Sequence, residues 1–375
     1  MSERSAMSDR KAIILVPGLF GFATIGDIAY FDRVIELLAS CAAVPSRAIF
    51  VLKTLPTGAL WQRVRLLHEE VEKRRKEGFS NIHLVGHSTG GVDVRLFTND
   101  AFLWPGGPCK NERSANFSAI GRVVSISAPQ RGTPIAVRLR GAMENAIPFL
   151  FLLSLLAKSG QRGVMRNAAR PLALAFAAVR KGIAAHSHVE SALQLSGLSP
   201  TTAKQASDFL TSIADDHPLI HELTPLAMSA LNAQIANGHQ LPISSFVTVA
   251  PPPWPHVARL ALGTPWVLTP LQRLIYAFSF ESTLPDAAPL SKGPWLAGVE
   301  PPRLSEIAAY AQDGVVPSAS QSLDENVAGL VYGDHLDVVG HYRGMHGGET
   351  VFDSGASFDD ERMTALWTAV GDLIR

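Results

Sequence analysis

Cysteine is scarce in this 375-residue chain, which holds only Cys41 and Cys109. Cys41 lies in the apolar helical run Phe31 to Val44, where a free thiol behaves as a small hydrophobe, so no disulfide framework is expected. Net charge is missing too: 33 basic residues balance 33 acidic ones, with no block of like charge. Such a surface has no field to gather nucleic acid or an anionic membrane. Long hydrophobic runs are also absent. The longest, Ala146 to Ala157, covers twelve residues and contains Pro148 and Ser154, well short of the roughly 20 that a bilayer requires. The first eleven residues are charged and lead into an apolar strand too brief for a signal-peptide core. The expectation is a cytoplasmic protein without a transmembrane helix, secretion by another route staying open. What is present is 47% hydrophobic residues, ample for a large core.

Those residues are arranged in two kinds of pattern. Between residues 11 and 135, strand and helix signals alternate. Lys11 to Val16 is an apolar run stopped by Pro17-Gly18, as in a strand buried on both faces. A helix over Tyr30 to Ala43 follows, then a strand over Ala48 to Leu52. Leu60 to Lys76 reads as an amphipathic helix with Leu60, Val64, Leu67 and Val71 on one stripe. Next come a strand at Asn81 to Val85, a helix at Gly91 to Asn99 and a strand at Arg122 to Ser127. Alternation of this kind predicts an α/β fold with a mostly parallel, doubly wound sheet flanked by helices. From 136 to 240 only helices are expected: Met143 to Lys158, Pro171 to Ala185, Thr201 to Ile213 and Pro225 to Ala236. This stretch reads as a helical lid or cap inserted into a core formed by 11–135 and 241–375, with 1–10 a flexible N-terminus. Ile243 to Val249 resumes the sheet, and Pro251 to Pro255 is an extended connection. Residues 256 to 302 are loop-rich and carry no clear periodicity, Ser305 to Ala311 reads as the last buried strand region and Asp359 to Ile374 as a terminal amphipathic helix.

Ser88 stands in Gly86-His87-Ser88-Thr89-Gly90, after a strand and before a helix. A nucleophile at so tight a turn needs small residues two positions before and after it, and the turn lifts its hydroxyl clear of the sheet. A hydroxyl nucleophile needs a base and the base an orienting acid, here expected in the chain order Ser, acid, His. Of the twelve histidines, His335, His341 and His346 follow a plausible acid late in the chain. Asp313, just after an apolar segment and before Gly314, is the preferred acid, and His335 in Gly333-Asp334-His335-Leu336-Asp337 the preferred base. Asp337 or Asp286 as acid and His341 as base remain alternatives. Thr89, directly after the serine, and Leu19, in the loop Pro17 to Gly21, are positioned to give backbone N–H groups to an oxyanion. Pro17 has no N–H, and Gly18 permits the bend that turns the Leu19 amide inward.

At these residues the chain resembles the bacterial true lipases of the Pseudomonas, Burkholderia and Proteus type, within the α/β-hydrolase superfamily. The likeness runs through Ile13 to Phe22, Leu84 to Gly91, Ser125 to Thr133, Asp313 to Pro317 and Asp334 to Asp337. The resemblance implies an α/β-hydrolase fold, a triad of Ser88, Asp313 and His335, and oxyanion donors at Leu19 and Thr89. It also implies a structural calcium with Asp337 among its ligands. Here the sequence departs from the family, for His341 stands where an amide side chain is usual, and calcium wants oxygen. No cofactor is therefore expected, and a metal ligand set is left unassigned.

The function expected is hydrolysis of carboxylic esters with apolar acyl groups, the substrate being a small-molecule ester or lipid. Phe20, Phe149 and Phe151 are the candidate contacts for the acyl chain, the last two from the insertion. The same triad would serve a phospholipid, polyester or thioester hydrolase, and a non-catalytic relative that only binds a ligand is the rival of another class. Acyl-chain preference and oligomeric state are not encoded in any motif.

Overall fold

A computed structural model describes residues 10–108, 116–139, 186–195, 197–215, 217–253, 268–283, 292–298, 310–323, 327–342, 350 and 352–375. In chain order the described elements are β1 (Lys11–Val16), β2 (Thr24–Ile25), β3 (Ile28–Ala29), α1 (Val34–Cys41), β4 (Ile49–Val51), α2 (Leu60–Lys76), β5 (Asn81–His87), α3 (Thr89–Phe97), β6 (Ile120–Ile126) and α4 (Pro134–Leu139). There follow α5 (His186–Leu195), α6 (Pro200–Asp215), α7 (Pro218–Glu222), α8 (Pro225–Ile235), β7 (Ile243–Val249), α9 (Leu268–Thr283), β8 (Val327–Tyr332) and α10 (Asp360–Ile374).

Six strands form one sheet in the order β4-β1-β5-β6-β7-β8, every pair parallel. Parallel neighbours need crossover connections, and helices that cover both faces make the strands apolar on both sides. β1 shows the consequence. Ile13 and Leu15 point into one core with Val85, Val124, Phe246 and the α10 residues Leu366 and Trp367. Ala12, Ile14 and Val16 point into the other, with Val64, Leu67 and Val71 of α2 and Val92 and Leu96 of α3. The period-2 alternation of one strand thus divides its side chains between two cores. Trp367, fully buried, also donates its indole N–H to the Val338 carbonyl at 2.9 Å, which pins α10 to the segment after β8.

Between β6 and β7 the described residues hold helices only, α4 to α8. The expected helices at 143–158 and 171–185 lie outside the described residues. Two expectations need correction. The last strand is β8 at Val327–Tyr332, which follows the expected Ser305 to Ala311; residues 305–309 lie outside the described residues, Tyr310 lies in a turn, and Gln312 makes an isolated antiparallel bridge to Pro317. Gly329 disguises β8. It sits mid-strand, where glycine is normally weakening, because a Cβ there would come within 2.8 Å of Leu296. Within the loop-rich stretch 256–302 the structure also places a helix that the sequence did not signal, α9. Its buried face mixes Tyr276 and Phe280 with Gln272, Ser279 and Thr283, so the helix is amphipathic in space but not in hydrophobicity.

Candidate active site

The carboxyl ends of β1, β5, β7 and β8 and the loops beside them converge on Ser88, as ligand sites do in open parallel sheets. Ser88 caps β5 with φ 55° and ψ −129°, and α3 starts at the next residue. A non-glycine residue rarely holds positive φ, and strain of this kind persists only where neighbours enforce it. Here the Ser88 amide donates to the Ile126 carbonyl of β6 at 2.8 Å, and its own carbonyl accepts from Gly91 at 2.9 Å. Gly86 and Gly90 are obligatory: a Cβ on Gly86 would meet the Gly90 oxygen at 2.1 Å, and one on Gly90 the Val16 oxygen at 2.0 Å.

Asp313 occupies a tight turn docked on the end of β7 through the bond from the Ala250 amide to the Gln312 carbonyl, 2.8 Å. Its carboxylate is fully buried and accepts five hydrogen bonds. Oδ1 takes the amides of Val315 (2.9 Å) and Val316 (2.7 Å). Oδ2 takes the Thr248 hydroxyl (2.7 Å), the Gln321 amide (3.1 Å) and His335 Nδ1 (2.7 Å). Gln321 is itself held, its Oε1 accepting from the Thr248 amide at 2.8 Å and its Nε2 also reaching the Val316 carbonyl at 3.1 Å. Ser127, at φ 53°, lies 2.7 Å from the Thr248 hydroxyl, which it reaches with its own.

His335 follows β8 by three residues and is anchored by its amide on the Asp313 carbonyl, 3.0 Å. Its Nδ1 faces a carboxylate and so carries the hydrogen, which leaves Nε2 bare to accept from the Ser88 hydroxyl 2.8 Å away. Serine, histidine and aspartate therefore form one buried hydrogen-bonded chain. The other candidates are engaged elsewhere. Asp337 Oδ2 accepts the Asp334 amide at 2.8 Å, and His341 Nε2 lies 2.9 Å from the Tyr30 carbonyl. Asp286 and His346 lie outside the described residues.

Leu19 lies in the loop after β1. The amides around it are used, Phe20 on Pro56 (2.9 Å) and Gly21 on Gly18 (3.0 Å), whereas that of Leu19 has no acceptor among the described residues. Thr89 is the first residue of α3, where N–H groups have no intrahelical partner and the helix dipole is positive. The loop is clamped from below by Arg63, which donates to the Pro17 carbonyl at 2.7 Å and pairs with Asp93 of α3 at 2.7 Å; both side chains of the pair are fully buried. Neither residue was singled out by motif. The signal available was an arginine one turn from Leu60 on the apolar stripe of α2. Phe20, φ 56°, is packed in the main core cluster, whereas Leu19 is half-buried beside the pair Ile135 and Ile220, together with Val315. Phe149 and Phe151 lie outside the described residues.

Among the described residues no three His, Cys, Asp or Glu side chains are grouped to hold a metal. Asp334 and Asp337 instead share a turn, with Asp334 Oδ1 accepting the amides of Leu336 and Asp337. Burial pushes the Asp334 carboxyl up to about 6, and burial with the neighbouring Asp334 raises Asp337 further.

No family model matches the chain. A triacylglycerol lipase of Pseudomonas fragi is 31% identical over 138 residues, 36% of this chain and 40% of that protein. One of Vibrio cholerae is 26% identical over 144 residues, 38% of this chain and 40% of that protein. The matched part thus spans about two fifths of either relative, and the likeness to bacterial lipases read from the motifs holds for that part. Among described helices none is long and apolar enough to cross a membrane. Lipase 1 from Pelosinus fermentans superimposes with a TM-score of 0.53 at 16% identity, over 97% of this chain and 98% of that one. A metagenomic carboxyl esterase gives 0.50 at 15%, over 98% and 76%. The parallel sheet order, the strained serine turn after β5 and these whole-chain superpositions agree on one architecture, and the chain has the α/β-hydrolase fold.

Proposed function

We propose that this protein is a serine ester hydrolase of the lipase or esterase kind, working through an acyl-enzyme. The observation that carries the reading is the buried chain from Ser88 Oγ through His335 (2.8 Å) to Asp313 (2.7 Å) at a turn with φ 55°. Ser88 Oγ attacks the ester carbonyl carbon as its proton passes to His335 Nε2, and Asp313 holds the resulting imidazolium. The oxyanion receives the Leu19 and Thr89 amides, which are fixed before the substrate arrives. Collapse of the tetrahedral intermediate expels the alcohol, which takes the proton from His335, and leaves the acyl group on Ser88. Water then attacks in the same manner and gives its proton to His335; collapse returns that proton to Ser88 Oγ as the acid is released. Acyl transfer of this type draws on no redox group.

An apolar acyl chain is favoured by the half-buried Leu19 and Val315 beside Ile135 and Ile220. The triacylglycerol lipase names of the two relatives point the same way. The test is hydrolysis of p-nitrophenyl esters from acetate to palmitate by wild type and Ser88→Ala. Activity that rises with chain length and vanishes in Ser88→Ala is the expected outcome. Equal activity in Ser88→Ala, or an inert wild type, would overturn the reading, and the latter would favour a binding protein.

A further inference from the structure

His87, the residue before the serine, is fully buried and makes contacts that acyl transfer does not require. Its Nδ1 is 2.8 Å from the Tyr30 hydroxyl, its Nε2 is 2.8 Å from the backbone carbonyl of His335, and the Tyr30 hydroxyl accepts the Gly18 amide at 2.9 Å. We propose that Tyr30 and His87 are positioning residues that lock the oxyanion loop and the His335 loop to one another through this relay, a role that rests on the hydrolase reading of Ser88.

The hydrogens can be assigned in only one way that satisfies every group. A carbonyl only accepts, so His87 Nε2 carries a hydrogen for His335. The ring is neutral, because burial drives it well below the usual imidazole range and His335 adds to that. Nδ1 is then an acceptor and takes the single Tyr30 hydroxyl hydrogen, while a Tyr30 lone pair takes the Gly18 N–H. Each donor is matched once. The relay therefore joins the residue before Leu19 to the backbone of His335 with no water-exposed step, and Tyr30 is held in turn by edge contacts to Phe22 (5.9 Å between centroids) and Phe31 (5.0 Å). The serine turn supplies the central member, so all three parts of the site share one buried frame. Breaking it leaves two polar groups unmatched and frees both loops to shift, and shifts on the scale of an ångström cost on the order of 100-fold in rate.

Tyr30→Phe removes only the hydroxyl and keeps the ring packing. Its kcat on p-nitrophenyl butyrate is expected to fall roughly 10- to 100-fold with KM little changed. His87→Leu should fall as far, and the double variant no further than the worse single one, because one relay is broken either way. Nitrogen NMR of the imidazoles reads the relay independently of turnover: His87 should show a bare Nδ1 and a protonated Nε2, and Tyr30→Phe should shift the His335 ring resonances. A folded Tyr30→Phe with wild-type kcat, additive losses in the double variant, or a His87 ring protonated at Nδ1 overturns the relay. If wild type hydrolyses no ester, the hydrolase reading fails and the NMR result alone decides: His335 resonances unmoved by Tyr30→Phe then overturn the relay as well.

Discussion

Gly18→Ala is the smallest change that should separate folding from activity. A Cβ at Gly18 would lie 2.5 Å from Ser88 Cβ, 2.9 Å from Ser88 Oγ and 2.9 Å from the Tyr30 hydroxyl. Comfortable contact begins near about 3.5 Å, so the loop and the serine turn must part by close to 1 Å. Neither side yields easily. Ser88 is tied to Ile126 through its amide, and the Pro17 carbonyl is gripped by the fully buried Arg63. The strain of one extra methyl in such a site costs about 1–3 kcal/mol of stability, which a protein of this size can bear. On the proposed mechanism, displacement of the Leu19 amide from the oxyanion costs more in relative terms, roughly 100-fold in rate for a shift of about 1 Å. The expected result is a folded protein with a slightly lowered melting temperature and kcat on p-nitrophenyl butyrate down about 100-fold. A fluorophosphonate probe, which counts reactive serines, should label it slowly. Turnover within about twofold of wild type in a protein of normal melting temperature would refute the claim that Gly18 sets the spacing between loop and nucleophile.

Two further perturbations test the frame around the site. Arg63→Met strands the fully buried Asp93 carboxylate and should destabilise by about 3–5 kcal/mol; adding Asp93→Leu should recover most of the stability but not the rate, since the Pro17 carbonyl stays unheld. Denaturant titrations decide it, and a single variant as stable as wild type would contradict the account. His83 is buried, with its Nδ1 accepting the Arg122 amide at 3.1 Å, and burial lowers its pKa to about 4. A lowered histidine is neutral in the fold but charges in the unfolded chain, so its stability contribution is whole above pH 6.5 and is lost as pH falls through about 4. That loss is at most about 3 kcal/mol. His83→Gln, which can still accept the amide, should flatten the acid limb of a stability curve measured from pH 7 to 4; parallel curves for the two proteins would refute the assignment.

What could be read beforehand and what could not follow from the range over which each interaction acts. β1, α2 and β7 were legible to the residue or nearly so, because burial on both faces, or an uninterrupted stripe, writes the same answer at every position. Ser88 was legible because its strain is local: the glycines it needs lie two residues away on either side. β8 and α9 were hidden by residues whose reason is distant, Gly329 answering to Leu296 and the buried Gln272 to the Thr350 carbonyl at 2.6 Å. The same holds within the site. Asp313 and His335 stand 22 positions apart and carry a recognisable order, but Thr248 and Gln321, which deliver donors to Asp313, come from 65 positions before it and 8 after it. Tyr30 and His87 are 57 apart and look like a core aromatic and a spacer in a serine motif. Polar groups of that sort become readable only when the fold shows that burial has left them one set of partners. In this protein such groups separate a strained serine turn from a frame that holds Ser88, His335 and the loop of Leu19, the proposed nucleophile, base and oxyanion donor, in fixed register.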